Sequence, residues 1–359
     1  MMVEALKDIY NEAFIERLIF AIDQEYPLFD SERFRALFFE DGWEDLALKQ
    51  RMRKITVGLK HSLPDDYEEA LRILYKIAPQ FSGLGGIIFP DYVEQYGLQD
   101  WDKSMHALAY FTQFSTSEFA VRPFLLKDPK RMLDQMLKWS THSNEHVRRL
   151  ASEGSRPRLP WGTSVPSIKE DPQQTLPILE KLKNDESLYV RKSVANHLND
   201  ISYTHAAIVL RMAKEWSGKD KKTDWIIKHA CRSLLKKGNR QALALFGYAD
   251  DSAITIARLT LHPDTIKIGD SIQMTFDLSS ESTIPARVEY AIDYVKSRGQ
   301  RNRKVFMLKT AIMKQGENHI ISKTHHFKDL TTRKHYEGIH TLSIIVNGVV
   351  KAEKDFMVR

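Results

Sequence analysis

From the first residues to about position 250, apolar positions recur at three- and four-residue spacing. In DYEEALRILYKIA, residues 66–78, Ala70, Leu71, Leu74 and Ile77 fall on one stripe of a helix. SMHALAYFTQF and TLPILEKL show the same period. Turn signals at Leu63-Pro64-Asp65, Gly83 to Gly86, Asp128-Pro129 and Asn184-Asp185 divide the region into many short helices. A weak repeat runs through it. NEHVRRLA, SLYVRKSVA and DWIIKHAC share an apolar-basic step at Val147-Arg148, Val190-Arg191 and Ile227-Lys228, at intervals of 43 and 37 residues. That spacing suits HEAT-like helix pairs, which bury their apolar faces by stacking into a solenoid whose concave face is a groove.

After Asp251 the period shortens. ITIARLTL, SIQMTFDL, ARVEYAIDYV, KVFMLKT, HIISKTHHF and HTLSIIVNGVV are β-branched and partly alternating, separated by the turn-rich HPDT, KIGD, SRGQRNR and KQGE. Six to seven strands in about 105 residues predict an immunoglobulin-like sandwich without its disulfide. The expected fold is therefore mainly α: a HEAT-like helical-repeat solenoid over 1–250, followed by the β-sandwich over 251–359. The boundary is expected near 245–252.

The chain of 359 residues has room for two such domains. No apolar run approaches the roughly 20 residues of a membrane span. The opening MMVEALKDIYNEAF carries no basic leader and no signal-like apolar stretch. A single cysteine, Cys231, excludes an internal disulfide and a Cys-based zinc site. These features predict a cytoplasmic protein, nucleoid-associated in a prokaryote. Charge is unevenly spread. Residues 1–46 hold twelve acids and four bases, residues 211–240 hold ten bases and three acids, and KSRGQRNRK at 296–304 holds five bases and no acid. Any one block reads most simply as a solvated face. Three together favour a polyanionic partner, whose condensed counterions lysine and arginine displace.

Neither a P-loop, nor HExxH, nor a Cys/His metal cluster is present. The glycine-rich SGLGGIIF, 82–89, reads as a loop between helices, because no strand precedes it. His325-His326 lies in a strand pattern that points the two rings to opposite faces, which argues against a shared metal. The stretch 115–161 stands out, with Glu118, Glu153 and Trp161 among Arg122, Arg148, Arg149, Arg156 and Arg158. A further helix supplies Asn196, Asn199 and Asp200. Glu153 precedes Gly154 and Asp200 closes a helix begun near Leu188, so both carboxylates face the negative end of a helix dipole, at a cost of about 0.3–1 kcal/mol. A function at both positions, or pairing with nearby arginines, would account for this. Ser115-x-x-Glu118 has the form of a capping box, and local signals alone favour that role for Glu118.

TSEFAVRPF (116–124), HVRRLASEGSRPRLPW (146–161), YVRKSVANHLNDIS (189–202) and DWIIKHACRSLLKKGNRQALALFGY (224–248) resemble the signature segments of the AlkC family of alkylpurine DNA glycosylases. The resemblance is close over about 100–250 and looser toward both ends. It implies HEAT-like repeats that grip duplex DNA and an enzyme that removes N-alkylated bases without cutting the strand. The bases implied are chiefly 3-methyladenine and, in some members, 3-methylcytosine or 1-methyladenine. Around the lesion's sugar it implies three acids and a tryptophan, which fall on Glu118, Glu153, Asp200 and Trp161 with no departure. It also implies that the lesion stays stacked while its sugar is attacked.

Beside these, the basic and amide groups expected to meet DNA are Arg122, Arg148, Arg149, Arg156, Arg158, Asn196, Asn199, Lys228, Arg232, Arg298, Arg301 and Arg303. No metal or cofactor is expected, nor a membrane or obligate protein partner, and the expected state is a monomer. Two other classes fit the fold and charge: a non-catalytic repeat scaffold, and an RNA- or tRNA-handling module.

Overall fold

The computed structural model describes residues 5–38, 42–329 and 334–359. Among them sixteen α-helices precede eight strands. The helices are α1 (Glu12–Asp23), α2 (Ser31–Arg35), α3 (Leu48–Ser62), α4 (Tyr67–Ile77), α5 (Ile88–Tyr96), α6 (Trp101–Phe111), α7 (Val121–Lys127) and α8 (Pro129–Trp139). They continue with α9 (Glu145–Gly154), α10 (Pro166–Glu170), α11 (Leu176–Leu182), α12 (Leu188–Ser202), α13 (Ala206–Trp216), α14 (Lys221–Ala230), α15 (Arg232–Lys236) and α16 (Arg240–Leu245). Side-chain caps start many of them: Asp66 accepts from the Glu69 amide, Asn144 from His146 and Ser187 from Tyr189. The stripe foreseen in α4 is buried at Ala70, Leu71, Leu74 and Ile77. SGLGGIIF forms a 3-10 turn, Gly83–Ile87, that runs directly into α5.

The repeat has a structural basis in its first two copies. Val147 and Val190 are buried at the third position of α9 and α12. Arg148 turns back onto the carbonyls of His142 and Ser143, and Arg191 onto those of Asp185 and Glu186, the same five- and six-residue offsets. Ile227-Lys228 departs from this register, standing one turn later in α14 with Lys228 exposed. α12 packs between α9 and α14.

The chain divides into two compact units, Met1–Thr204 with Trp216–Ala230, and His205–Glu215 with Cys231–Arg359. The change from helix to strand lies between Leu245 and Ile254. The second unit contains β1 (Ile254–His262), β2 (Thr265–Ile266), β3 (Ser271–Ser280), β4 (Ile284–Val295), β5 (Arg301–Met313), β6 (Asn318–His326), β7 (Gly338–Val346) and β8 (Val349–Val358). They form a three-stranded sheet ordered β1-β3-β6 and a five-stranded sheet ordered β2-β8-β7-β4-β5. Alternate residues of β3 and β4, among them Met274, Phe276, Val288, Tyr290 and Ile292, fill a shared core. HTLSIIVNGVV, read as one strand, breaks at Asn347-Gly348 into β7 and β8. Both turn residues have positive φ, 49° and 80°, as a two-residue type I′ hairpin requires. KSRGQRNRK is likewise only partly a loop, since Arg301 and Arg303 belong to β5 and pair with β4. His325 is buried and His326 exposed, on opposite faces of β6. Among the described residues no helix is long and apolar enough to cross a membrane, and no group of three or more His, Cys, Asp or Glu could hold a metal ion.

Candidate active site

Gly154 is the last residue of α9, and the close packing there leaves no room for a side chain: an added Cβ would lie 2.7 Å from Val121 and 3.0 Å from Met136. Glu153 stands in the last turn, as the sequence predicts, and the chain leaves as the loop that carries Trp161. Arg122 braces this loop. It is only 1% exposed, and its guanidinium donates to the carbonyls of Gly154 (3.0 Å), Arg156 (2.8 Å) and Thr163 (2.8 Å). This corrects the expected phosphate contact, because the arginine is spent on main-chain oxygens. Burial, with Arg156 nearby, lowers its pKa to about 10. The capping box is also overturned. Ser115 donates to the Gly83 carbonyl, α7 begins only at Val121, and the Glu118 carboxylate accepts from Thr116 and Arg149.

Released from capping, Glu118 starts a chain of ion pairs. It pairs with Arg149; Arg149 lies 3.4 Å from Glu153; Glu153 is 2.6 Å from Arg156; and Arg156 is 2.7 Å from Asp200. The order is acid, base, acid, base, acid, and no side chain in it is more than 15% exposed. Glu153 is saturated: Oε1 faces both arginines and Oε2 accepts from the Ser193 hydroxyl at 2.6 Å. The terminal acids are not. Glu118 Oε1 and Asp200 Oδ1 have no hydrogen-bond partner among the described residues, and neither is sealed from solvent.

Electrostatics separates the acids further. Burial would raise the pKa of Glu153, but Arg149, Arg156 and the Ser193 hydroxyl together hold it below the ordinary value. Burial prevails at Asp200 and raises it against Arg156, with Glu153 adding to the rise. Both arginines are held more firmly charged than usual, burial being outweighed by their carboxylate partners.

The other residues singled out in the sequence are dispersed. Trp161 is 60% exposed with φ 62°, and the exposed Arg158 lies over the Tyr203 ring at 4.7 Å. Arg148 forms a two-pronged pair with Asp185 at 2.6 and 3.0 Å. On α12, Asn196 is half-buried, and Asn199 is buried with its Oδ1 unpartnered. Lys228 is exposed on α14, and Arg232 is half-buried on α15 in the other unit. In the sandwich Arg298 is exposed in the β4–β5 turn, Arg301 donates to Thr341 and the Ile339 carbonyl, and Arg303 pairs with Asp293 and Glu353. Thr116, Ser193 and Lys49 were not foreseen. Ser193 had a signal, standing seven residues before Asp200 on one face of α12.

A family model described as "DNA alkylation repair enzyme" matches residues 49–234, a span that holds the whole chain of ion pairs. The crystallised Pseudomonas fluorescens alkylpurine DNA glycosylase AlkC, bound to DNA containing an abasic site analog, superposes with a TM-score of 0.96 at 43% identity, covering 99% of this chain and 100% of that one. This chain belongs to the AlkC family of DNA alkylation repair enzymes. A second model, "Uncharacterised protein YhaZ, C-terminal Ig-like domain", matches residues 255–359, so the AlkC-family helical-repeat region is followed by an immunoglobulin-like domain. A relative described as "Uncharacterized protein YhaZ", from Bacillus subtilis (strain 168), is 57% identical over 353 residues, covering 98% of this chain and 99% of its own.

Proposed function

We propose that the protein is a monofunctional DNA glycosylase. It hydrolyses the N-glycosidic bond of cationic N-alkylated bases in duplex DNA, 3-methyladenine first among them and 3-methylcytosine or 1-methyladenine after it. The observation that carries this reading is the buried ion-pair chain that begins and ends on carboxylates, each with one free oxygen. A base alkylated at N3 is already a cation and leaves as a neutral molecule, so the reaction needs little help from a general acid. Positive charge instead grows at the sugar C1′ as the bond lengthens. Three carboxylates against two guanidiniums leave one excess negative charge, fixed in place before the reaction begins.

Glu153, with both oxygens committed, aligns the two arginines. Glu118 and Asp200 present the oxygens that meet the sugar and orient the attacking water, one of them receiving its proton. The Trp161 indole adds cation–π attraction of about 0.5–2 kcal/mol to the developing charge. It stands out in solvent, which favours attack on the sugar of a nucleotide that stays stacked. Phosphate contacts fall to exposed bases such as Arg158, Lys228 and Arg298. The reading calls for a monomer in the compartment of the chromosome, with no cofactor and no obligate protein partner.

The test is release of free base from duplex DNA treated with a methylating agent, followed by mass spectrometry, with unmodified RNA as competitor. Abasic sites without strand breaks are expected. Strand cleavage before alkali overturns the monofunctional assignment, and absence of any released base overturns the reading.

A further inference from the structure

Trp161 adopts a left-handed backbone conformation, φ 62°, that a bulky L residue seldom takes. Such a conformation persists only where its surroundings overdetermine it. Arg122 holds the loop through the carbonyls of Gly154, Arg156 and Thr163, none of them Trp161's own. The Trp161 carbonyl is instead taken by the ammonium of Lys49, from the first turn of α3 and 112 residues away in sequence. The same ammonium lies 4.2 Å from the centroid of Phe119, the residue after Glu118. A single cation on a helix that supplies no member of the ion-pair chain thus joins the two segments presenting Trp161 and Glu118.

The surroundings keep Lys49 in place. It lines a cavity of about 60 Å³ with Met52, Arg53, Asp91, Glu94 and Thr116. Burial lowers its pKa, while Glu94, Asp91 and Glu118 act in the opposite sense and favour the charge. Asp91 and Glu94 are in turn tied to Arg53, at 2.8 and 3.1 Å. The half-buried amine thus has carboxylates on one side and a carbonyl–aromatic pair on the other.

We propose that Lys49 is a positioning residue for base excision, acting through Trp161: it locks the left-handed turn and so fixes where the indole stands. The proposal rests on the glycosylase reading above, and the test separates the two. Incorporated 5-fluorotryptophan reports on six tryptophans by fluorine NMR, with Trp161→Phe assigning the resonance. In Lys49→Met the Trp161 resonance shifts or broadens while the other five hold. Single-turnover excision falls roughly 10- to 100-fold, the scale of a misplacement near 1 Å, with little change in DNA affinity. In a Trp161→Ala background the same substitution costs little more, because a residue acting through another has nothing left to act on. Lys49→Arg keeps a donor and a cation over Phe119 and recovers most of the rate.

An unmoved Trp161 resonance, or losses that simply add, overturns the proposal. A wild-type enzyme that releases no base defeats the glycosylase reading, and the resonance then still decides whether Lys49 holds Trp161. Should Lys49→Met fail to fold, Lys49→Leu, which also lacks a donor, is read in the same way.

Discussion

Five charged side chains of the helical unit share one buried chain of ion pairs, from Glu118 to Asp200, whereas the sandwich buries three histidines, His325, His335 and His340, among aromatic rings. His325 lies between the hydroxyls of Tyr290 and Tyr294, at 2.8 and 2.7 Å, and His340 stacks on Phe356. The sandwich does bury one ion pair, Arg287–Glu289, but Arg303 meets Asp293 while 43% exposed. Taking charges out of water costs several kcal/mol each, and a buried ionic network seldom stabilises a fold better than apolar side chains of equal volume. A unit that needs only to fold has little use for five such groups. The excess in the helical unit is what a reaction site would leave behind, and the sandwich supplies the contrast.

The largest effects should come from breaking that chain. Asp200→Asn and Glu118→Gln remove a preorganised charge and should slow single-turnover excision about 100- to 1,000-fold, the usual loss for such a contact. Each also breaks a buried pair, but Arg149 and Arg156 keep Glu153 as a partner, so the melting temperature should fall less than when Glu153 itself is replaced. Glu153→Gln should slow excision as well, and it also leaves two buried guanidiniums short of a partner. Breaking a buried pair costs about 3–5 kcal/mol, or roughly 6–20 °C in a unit of this size. Asp293→Asn in the sandwich should cost less than about 1 kcal/mol and leave excision alone. If Glu153→Gln melts and excises like the wild type, the contrast between the two units loses its meaning.

Acid should weaken the helical unit through a smaller effect. His197 is buried between the Ser152 carbonyl and the Thr175 hydroxyl. A carbonyl only accepts, so Nδ1 carries the proton and Nε2 faces the hydroxyl. Burial lowers its pKa to about 3, so the unfolded chain binds a proton there first as pH falls. The stability this neutral ring contributes is complete above pH 6.5 and is lost progressively below it, by roughly 2 kcal/mol at pH 5. Glu153, held low, adds a loss at still lower pH, and Asp200, held high, opposes it. Melting temperatures at pH 7.5 and 5 should diverge, and His197→Gln should bring them closer. In the sandwich the lowered pKa of His340 has the same sign. An unaltered pH slope in His197→Gln would transfer the effect to that unit.

What was legible in the sequence was whatever a short stretch decides. Gly154 and the period of α12 placed Glu153 and Asp200 at helix ends, and Arg149 reaches Glu153 within one helix. Arg156 and Asp200 are 44 residues apart, so their pairing depends on how α9 packs against α12, which no local pattern reveals. Local signals alone mislead at Glu118 for the same reason, since Ser115, the capping partner they suggest, bonds to Gly83 in a distant segment. Lys49 looked like any polar residue opening a helix. The Asn347-Gly348 turn, by contrast, is a strong local signal, because a type I′ hairpin needs positive φ at both residues.

The smallest expected effect tests the charge contrast from outside the site. Each phosphate neutralised by an arginine releases about 0.9 counterion and adds that much to the slope of log affinity against log salt. An arginine already paired inside the protein has less to release. Arg158 is exposed, lies over the Tyr203 ring and has no ion pair within 4 Å among the described residues, so Arg158→Ala should flatten the slope by about one. Arg298, exposed in the β4–β5 turn, should do the same if the sandwich also touches the backbone. Arg303 is held by Asp293 at 2.7 and 2.9 Å, with Glu353 at 3.4 Å, and its replacement should change the slope by much less than Arg298→Ala. Duplex titrations at four or five salt concentrations give the three slopes. Equal changes at Arg298 and Arg303 would mean that the Arg303 pairs open on binding. No change at either would remove the sandwich from the phosphate contacts and leave the helical unit to hold the duplex.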